Sequence, residues 1–337
     1  MSESMERDVI RQVNSSSLSI VKNNVVDVIY KVFRAILLFG FCFLIMQPLL
    51  DKVSVSFMEE KDLYDATVIS IPRNFSTENY KIALSLMNYF PTLIQSIIII
   101  IISAALQVAS CTLAAYGFAR YKFPGRNILF MCVFLLIIIP PQTILSSLYL
   151  NFQFFDIFGL VKLISGRNIN LLGTLTGYLL LSATAMGLKS GLYIFLLRQY
   201  FRGMPKELEE AAYVDGCGRL YTFGRIMLPD ALPMLTSCFL FSFVWQWTDS
   251  IFSTIFLRGY NMMPLALTGL TEKFYKYWAS INAIGTGGTG IYQQPPIGYI
   301  QAIIATGMIV FLIPLIILYM VAQRTFVESL SQTGIKM

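Results

Sequence analysis

The chain has 337 residues, 56% hydrophobic and only 13% charged, against about 25% charged in soluble domains. That balance excludes an ordinary soluble enzyme and points to an integral membrane protein. The formal net charge is +6 with no histidine; basic residues in cytoplasmic loops explain the charge better than nucleic-acid binding, and imidazole metal sites and histidine acid–base chemistry are removed.

A spanning helix needs roughly 17–25 mostly apolar residues. Six segments meet that need: 33–50, 91–119, 128–150, 172–197, 231–257 and 297–322. They predict an all-α polytopic membrane protein whose transmembrane domain covers 33–322. The polar residues 1–32 lack the apolar core of a cleavable signal peptide and read as an N-terminal tail; 323–337 read as a C-terminal tail. Residues 51–90 are polar and acidic (Glu59, Glu60, Asp62, Asp65) and read as a loop. Pro140 and Pro141 fall inside the third segment, where freed carbonyls need a neighbour or a cavity. The cysteines (Cys42, Cys111, Cys132, Cys217, Cys238) are scattered without CxxC spacing, so neither a disulfide framework nor a metal site is expected.

Lysine and arginine set the orientation. With the amino terminus inside, one group of loops holds Lys31, Arg34, Arg120, Lys122, Arg126, Arg198, Arg202, Lys206, Arg219 and Arg225 close to span ends. The opposite loops are longer and more sparsely basic. Both termini are therefore expected on the cytoplasmic side.

Between the fourth and fifth segments lies a polar island, 203–229, reading GMPKELEEAAYVDGCGRLYTFGRIMLP. Pro205 suits a first helical position. Glu207, Glu209 and Glu210 follow near the positive end of the helix dipole, and Gly216 and Gly218 offer a stop. Leu208, Ala211 and Ala212 fall on one side. A helix this short is marginal unless something packs on it, so the island is expected to dock.

Lys189 and Asp249 lie inside predicted spans, where a charge marks a pathway, a pair, or a group satisfied by neighbouring helices. Aromatic and amide residues gather at similar depth: Gln142, Tyr149 and Asn151 in the third segment, and Trp245, Gln246, Trp247 and Thr248 in the fifth. A sugar path uses such groups, because rings stack on pyranose faces and amides bond hydroxyls; interface anchoring is the plainer reading for each residue alone. No GxxxxGK[ST] phosphate loop occurs, so this chain does not by itself bind ATP in that manner. The GTGGTG run at Gly285 to Gly290 lacks a helix or lysine behind it and reads as a flexible external loop.

The island matches EAA-x3-G-x9-I-x-LP through Glu210, Ala211, Ala212, Gly216, Ile226, Leu228 and Pro229. That is the cytoplasmic loop signature of ABC importer permeases, which this chain resembles. The stretches YGFARYKFPGRN (from Tyr116), IIPPQTILSSLYL (from Ile138) and AQRTFVESLSQTGIK (from Ala322) extend the resemblance to the carbohydrate, MalG-like branch. Where many relatives have Trp-Asn, this chain has Trp247-Thr248-Asp249. The resemblance implies a type I importer permease fold with a cytoplasmic coupling helix. It also implies a multi-pass subunit of a bacterial plasma membrane, working with a second homologous permease, two ATPase subunits and an extracellular sugar-binding protein. ATP and Mg would sit on the ATPase partner, and this chain would hold no cofactor, metal or catalytic residue. Coupling would fall to Pro205, Glu209, Glu210, Ala211, Ala212 and Gly216, with Glu210 as anchor. The substrate path would involve Gln142, Tyr149, Asn151, Trp245, Trp247 and Asp249. Two alternatives stay open: an ABC permease for another solute such as peptides, and a secondary transporter, which predicts inverted repeats or membrane carboxylates.

Overall fold

A computed structural model describes residues 2–65, 67, 68, 71–156, 162, 163, 166, 168–285 and 294–334. It divides into two units, Met1–Ser76 and Thr77–Met337. In the first, helix α1 runs Ser2–Ser56 with Pro48 inside it. The expected N-terminal tail is thus helical, and the apolar stretch Asp27–Ser56 is long enough to cross a membrane. Its side chains over 27–50 are almost all exposed.

The acidic loop that follows is folded. Phe57 stacks on Phe75 with ring centroids 4.6 Å apart. The Asp62 carboxylate accepts from the backbone N–H of Arg73 (2.8 Å), the backbone N–H of Asn74 (2.7 Å) and the Asn74 amide (2.8 Å). Arg73 in turn lies 3.0 Å from Asp65. One short carboxylate thereby closes an eleven-residue loop.

The second unit is built round α3 (Tyr89–Arg120), which follows α2 (Glu78–Leu86). Ser96, Ile99, Ile100, Ser103, Ala104, Gln107, Val108, Cys111, Ala115 and Tyr116 recur at three- and four-residue steps on its buried face. The third expected span is bent by 108° between α4 (Arg126–Ile138) and a 3-10 turn, Pro141–Ile144, leading into α5 (Leu145–Gln153). Pro140 and Pro141 have no N–H to continue the ladder.

The fourth expected span, 172–197, is two helices, α6 (Leu175–Ala183) and α7 (Ser190–Gly203). Between them Ala185 and Lys189 take left-handed backbone, φ 56° and 59°. Freed backbone carbonyls in such a break cost about 1–3 kcal/mol each unless paired. Here Gln107 of α3 donates to the Leu188 carbonyl at 2.7 Å, and Ser190 Oγ to the Gly187 carbonyl at 2.8 Å.

The island contributes α8 (Glu207–Val214), α9 (Arg219–Thr222), a π turn Phe223–Met227 and α10 (Leu228–Asp230). A 75° bend leads into α11 (Leu232–Thr248), where the fifth expected span divides; α12 (Ile251–Phe256) follows. The loop expected before the last span carries α13 (Met263–Thr268) and α14 (Leu270–Gly285). Residues 286–290 of the GTGGTG run lie outside the described residues. The last helix, α15 (Ile297–Gly334), continues through Pro314 and into the expected C-terminal tail.

Among the described residues, three helices are long and apolar enough to span, or up to five spans if each bent pair is one. The core of the second unit lies where α3, α7 and α11 meet, around Tyr116, Tyr193, Leu197, Phe201, Met227 and Cys238. Gly191 of α7 permits close approach to α4, since a Cβ there would lie 2.9 Å from the Val133 carbonyl oxygen.

Candidate functional site

The island begins with an extended step. Met204 precedes a proline and takes φ −71°, ψ 141°, the conformation that the proline ring imposes on its predecessor. Pro205 consequently stands before the helix, not at its first position, and Lys206 is the cap. The Lys206 carbonyl accepts from the N–H groups of both Glu209 and Glu210 at 3.0 Å.

At its far end α8 closes as a Schellman motif. Cys217 N–H donates to the Ala212 carbonyl at 2.9 Å and Gly216 N–H to the Tyr213 carbonyl at 3.1 Å. Gly216 has φ +80° with nothing within 4 Å of its missing Cβ, so backbone conformation alone calls for glycine there.

Inside the island, Glu209 and Ala212 turn toward the bundle, while Glu207, Leu208, Glu210, Ala211 and Val214 face outward. The Glu209 carboxylate receives the Tyr116 hydroxyl at 2.9 Å and lies 3.3 Å from Arg120 Nε through the same oxygen. Arg120 Nη2 donates to the Met204 carbonyl at 3.0 Å. The last two turns of α3 therefore hold both the entry to α8 and its inner face. Tyr116 also packs its ring 4.6 Å from Phe223 and 5.4 Å from Phe201. Beyond α8, Leu220 and Tyr221 are exposed and Met227 is fully buried. Leu208, Val214, Leu220 and Tyr221 give the outer side apolar surface, beside the carboxylates of Glu207 and Glu210.

Farther from the island along α3, a buried polar cluster fastens three helices. The Gln107 oxygen accepts from Ser242 Oγ at 2.9 Å and from Gln246 Nε2 at 2.8 Å, and Tyr178 donates to Gln246 at 3.1 Å. Ser103 and Ser182 share a further hydrogen bond of 2.6 Å.

The expected substrate residues separate into two sets. Gln142, Tyr149 and Asn151 are exposed on the bent third segment. Asn151 lines a cavity of about 280 Å³ with Ser147, Lys189 and Phe252, and the Lys189 ammonium lies 4.9 Å from the centre of the Trp245 ring. Trp247, by contrast, is fully buried; it stacks on Phe243 and donates its indole N–H to the Phe311 carbonyl at 3.3 Å. Asp249 caps α12, accepting from Phe252 N–H (2.8 Å) and Ser253 N–H (3.3 Å). It makes no ion pair with Lys189 among the described residues.

Residues 108–332 match the family model described as "Binding-protein-dependent transport system inner membrane component". The chain belongs to that family. Among curated relatives, the chain is 34% identical over 166 residues to the "Osmoprotective compounds uptake permease protein GgtD" of Synechocystis sp., covering 49% of this chain and 50% of that one. It is 30% identical over 265 residues to the "Alpha-glucoside transport system permease protein AglG" of Rhizobium meliloti, covering 79% and 61%. The chain thus spans about half to three fifths of the length of these two relatives. Its fold matches a chain of a bacterial ABC transporter involved in the import of the acidic polysaccharide alginate. The TM-score is 0.62 over 89% of this chain and 97% of that chain, with 19% identity.

The groups that hold the island are not marked as such in the sequence. Tyr116 and Arg120 both fall in the matching stretch YGFARYKFPGRN, and Arg120 also marks sidedness, but nothing in the sequence ties either to Glu209. Gln107, an amide in an otherwise apolar helix, was the available signal for the polar cluster.

Proposed function

We propose that this chain is the membrane-spanning subunit of an ATP-driven, binding-protein-dependent importer of sugars. Its partners are a second homologous permease, two cytoplasmic ATPase subunits that carry ATP and Mg, and an external sugar-binding protein. Both termini and the island are cytoplasmic, in a bacterial plasma membrane. The observation that carries this reading is the mounting of α8: its inner face is bonded to α3 through Glu209, while Leu208, Glu210 and Ala211 are left outward.

A short helix held in this way acts as a lever. Closure of the ATPase dimer pushes α8; the push passes through Glu209 to Arg120 and Tyr116 and so into α3, which packs against α6, α7 and α11. A bundle with two packings then alternates between outward and inward openings. The alpha-glucoside relative and the alginate importer favour a sugar as cargo. The relative named for osmoprotective compounds favours a second reading, a small compatible solute.

The test is uptake into proteoliposomes holding the complete importer and its binding protein. Glu210→Lys should leave the complex assembled and ATP hydrolysed while sugar uptake is lost. Uptake at the wild-type rate would overturn the coupling assignment. Calorimetry of the binding protein over a panel of oligosaccharides and compatible solutes distinguishes the two cargo readings.

A further inference from the structure

The seam between α4 and α7 carries positive charge that the mechanism above does not use. Arg198 of α7 is only 8% exposed. Its guanidinium lies 3.7 Å from the centre of the Phe130 ring of α4, and its Nε is buried with no hydrogen-bond acceptor among the described residues. Arg126 and Arg202 are near enough for their charges to act on it. Arg198 and Arg202 are four residues apart on α7, and Arg126 and Phe130 are four apart on α4, so two stripes of one helical turn face each other. Among the described residues none of the three arginines makes an ion pair.

Three guanidinium groups repel one another, and a buried one without an acceptor is destabilising. A ring face answers part of the charge of Arg198 but accepts no N–H in its plane. The seam therefore offers donors that suit an anion with several acceptor oxygens. The start of α4 lies at the same end, so the positive end of its helix dipole adds to the charge there. What flanks the seam decides the kind of anion. Ile128, Leu129 and Met131 are 72%, 51% and 66% exposed on α4, an apolar strip that hydrocarbon covers and water does not.

We propose that Arg126, Arg198 and Arg202 form a headgroup site for an anionic phospholipid, whose phosphodiester sits in the α4–α7 seam and whose acyl chains lie along α4. The guanidinium groups of Arg198 and Arg202 grip the phosphate oxygens, and Arg126 closes the site from the start of α4. The lipid thereby ties α4 to the helix that leads directly into the coupling island.

Native mass spectrometry of the complete importer tests this, after reconstitution in bilayers of phosphatidylcholine with and without phosphatidylglycerol. The wild type should retain phosphatidylglycerol in preference to phosphatidylcholine. Arg198→Gln and the surface variant Arg202→Gln should each weaken retention by about fivefold, the effect of one basic residue at a membrane surface. Millimolar inorganic phosphate should not displace the lipid. Equal retention of the two lipids by the wild type, or unchanged retention in Arg202→Gln, would overturn the proposal. Displacement by phosphate would reassign the site to a soluble anion, and loss of the ATPase subunits from Arg202→Gln with lipid retained would reassign it to a protein carboxylate; either result ends the lipid reading.

Discussion

Arg120 Nε lies 3.3 Å from the Glu209 carboxylate, the two side chains 7% and 12% exposed, and this pair joins the end of α3 to the inner face of α8. The neighbouring Glu210 is exposed. Two adjacent glutamates thus have opposite assignments, one to the chain itself and one to its surroundings.

Glu209→Ala leaves the Arg120 guanidinium buried without its acid, a change that costs about 3–5 kcal/mol in comparable buried pairs. The detergent-purified protein carrying it should unfold at a clearly lower temperature and, in the assembly proposed above, lose coupling. Glu210→Ala should leave the melting temperature nearly unchanged. Adding Arg120→Met to Glu209→Ala should restore part of the lost stability, because the orphaned charge is then gone. Thermal unfolding of the four proteins makes the comparison; equal destabilisation by both glutamate variants would refute it.

Gly216 ends α8 with φ +80° and open space round its Cβ position. Gly216→Ala therefore meets no steric clash and strains only the backbone, by about 1–2 kcal/mol. Gly216→Asn, which tolerates the left-handed region better, should cost less. Hydrogen exchange at Gly216 and Cys217 reads out the loosened cap, and faster exchange in the Asn variant than in the Ala variant would contradict this account.

The tryptophans of α11 should behave oppositely. Trp247 fills the core and donates to the Phe311 carbonyl, so Trp247→Ala should cost about 3–5 kcal/mol and appear as lost yield. Trp245 is half exposed beneath the Lys189 ammonium. Trp245→Ala should express normally and alter substrate-stimulated ATP turnover. A normal yield of Trp247→Ala would sink the packing assignment.

The loop closed by Asp62 should be acid-sensitive. The backbone N–H of Asn74 holds this carboxyl below the usual carboxylate range, aided by the Asn74 side chain and by the backbone and charge of Arg73, against the opposing pull of burial. A depressed carboxyl stabilises the fold fully above its ordinary range, and the contribution fades as pH falls through the lowered folded value. Amide exchange at Arg73 and Asn74 should accelerate there, and Asp62→Asn should show the fast rate already at neutral pH. Rates independent of both would disprove the clip.

The island was readable because its punctuation is local. Acidic residues open α8, Gly216 closes it, and the apolar segments on either side are unmistakable. Even so, the first helical position falls two residues after Pro205, at Glu207, since the effect of the proline on Met204 delays the helix. The break at 184–189 was not readable at all. Its residues are mostly apolar, and the amide that makes the break tolerable, Gln107, belongs to a helix some 80 positions away. Trp245 and Trp247 were indistinguishable for a similar reason: which one enters the core depends on the facing Phe311 carbonyl.

The π turn at Phe223–Met227 has a consequence for timing between the island and the helix behind it. A π turn carries one residue more than the α-helical path it replaces, and each residue of an α-helix turns the chain by about 100°. That single residue sets the angular phase between the outward face of Leu220 and Tyr221 and the inward seating of Met227. Deleting one residue from this turn would rotate the handle by roughly a quarter of a revolution on its shaft, and either Phe223 would leave Tyr116 or Met227 would leave its seat in the core.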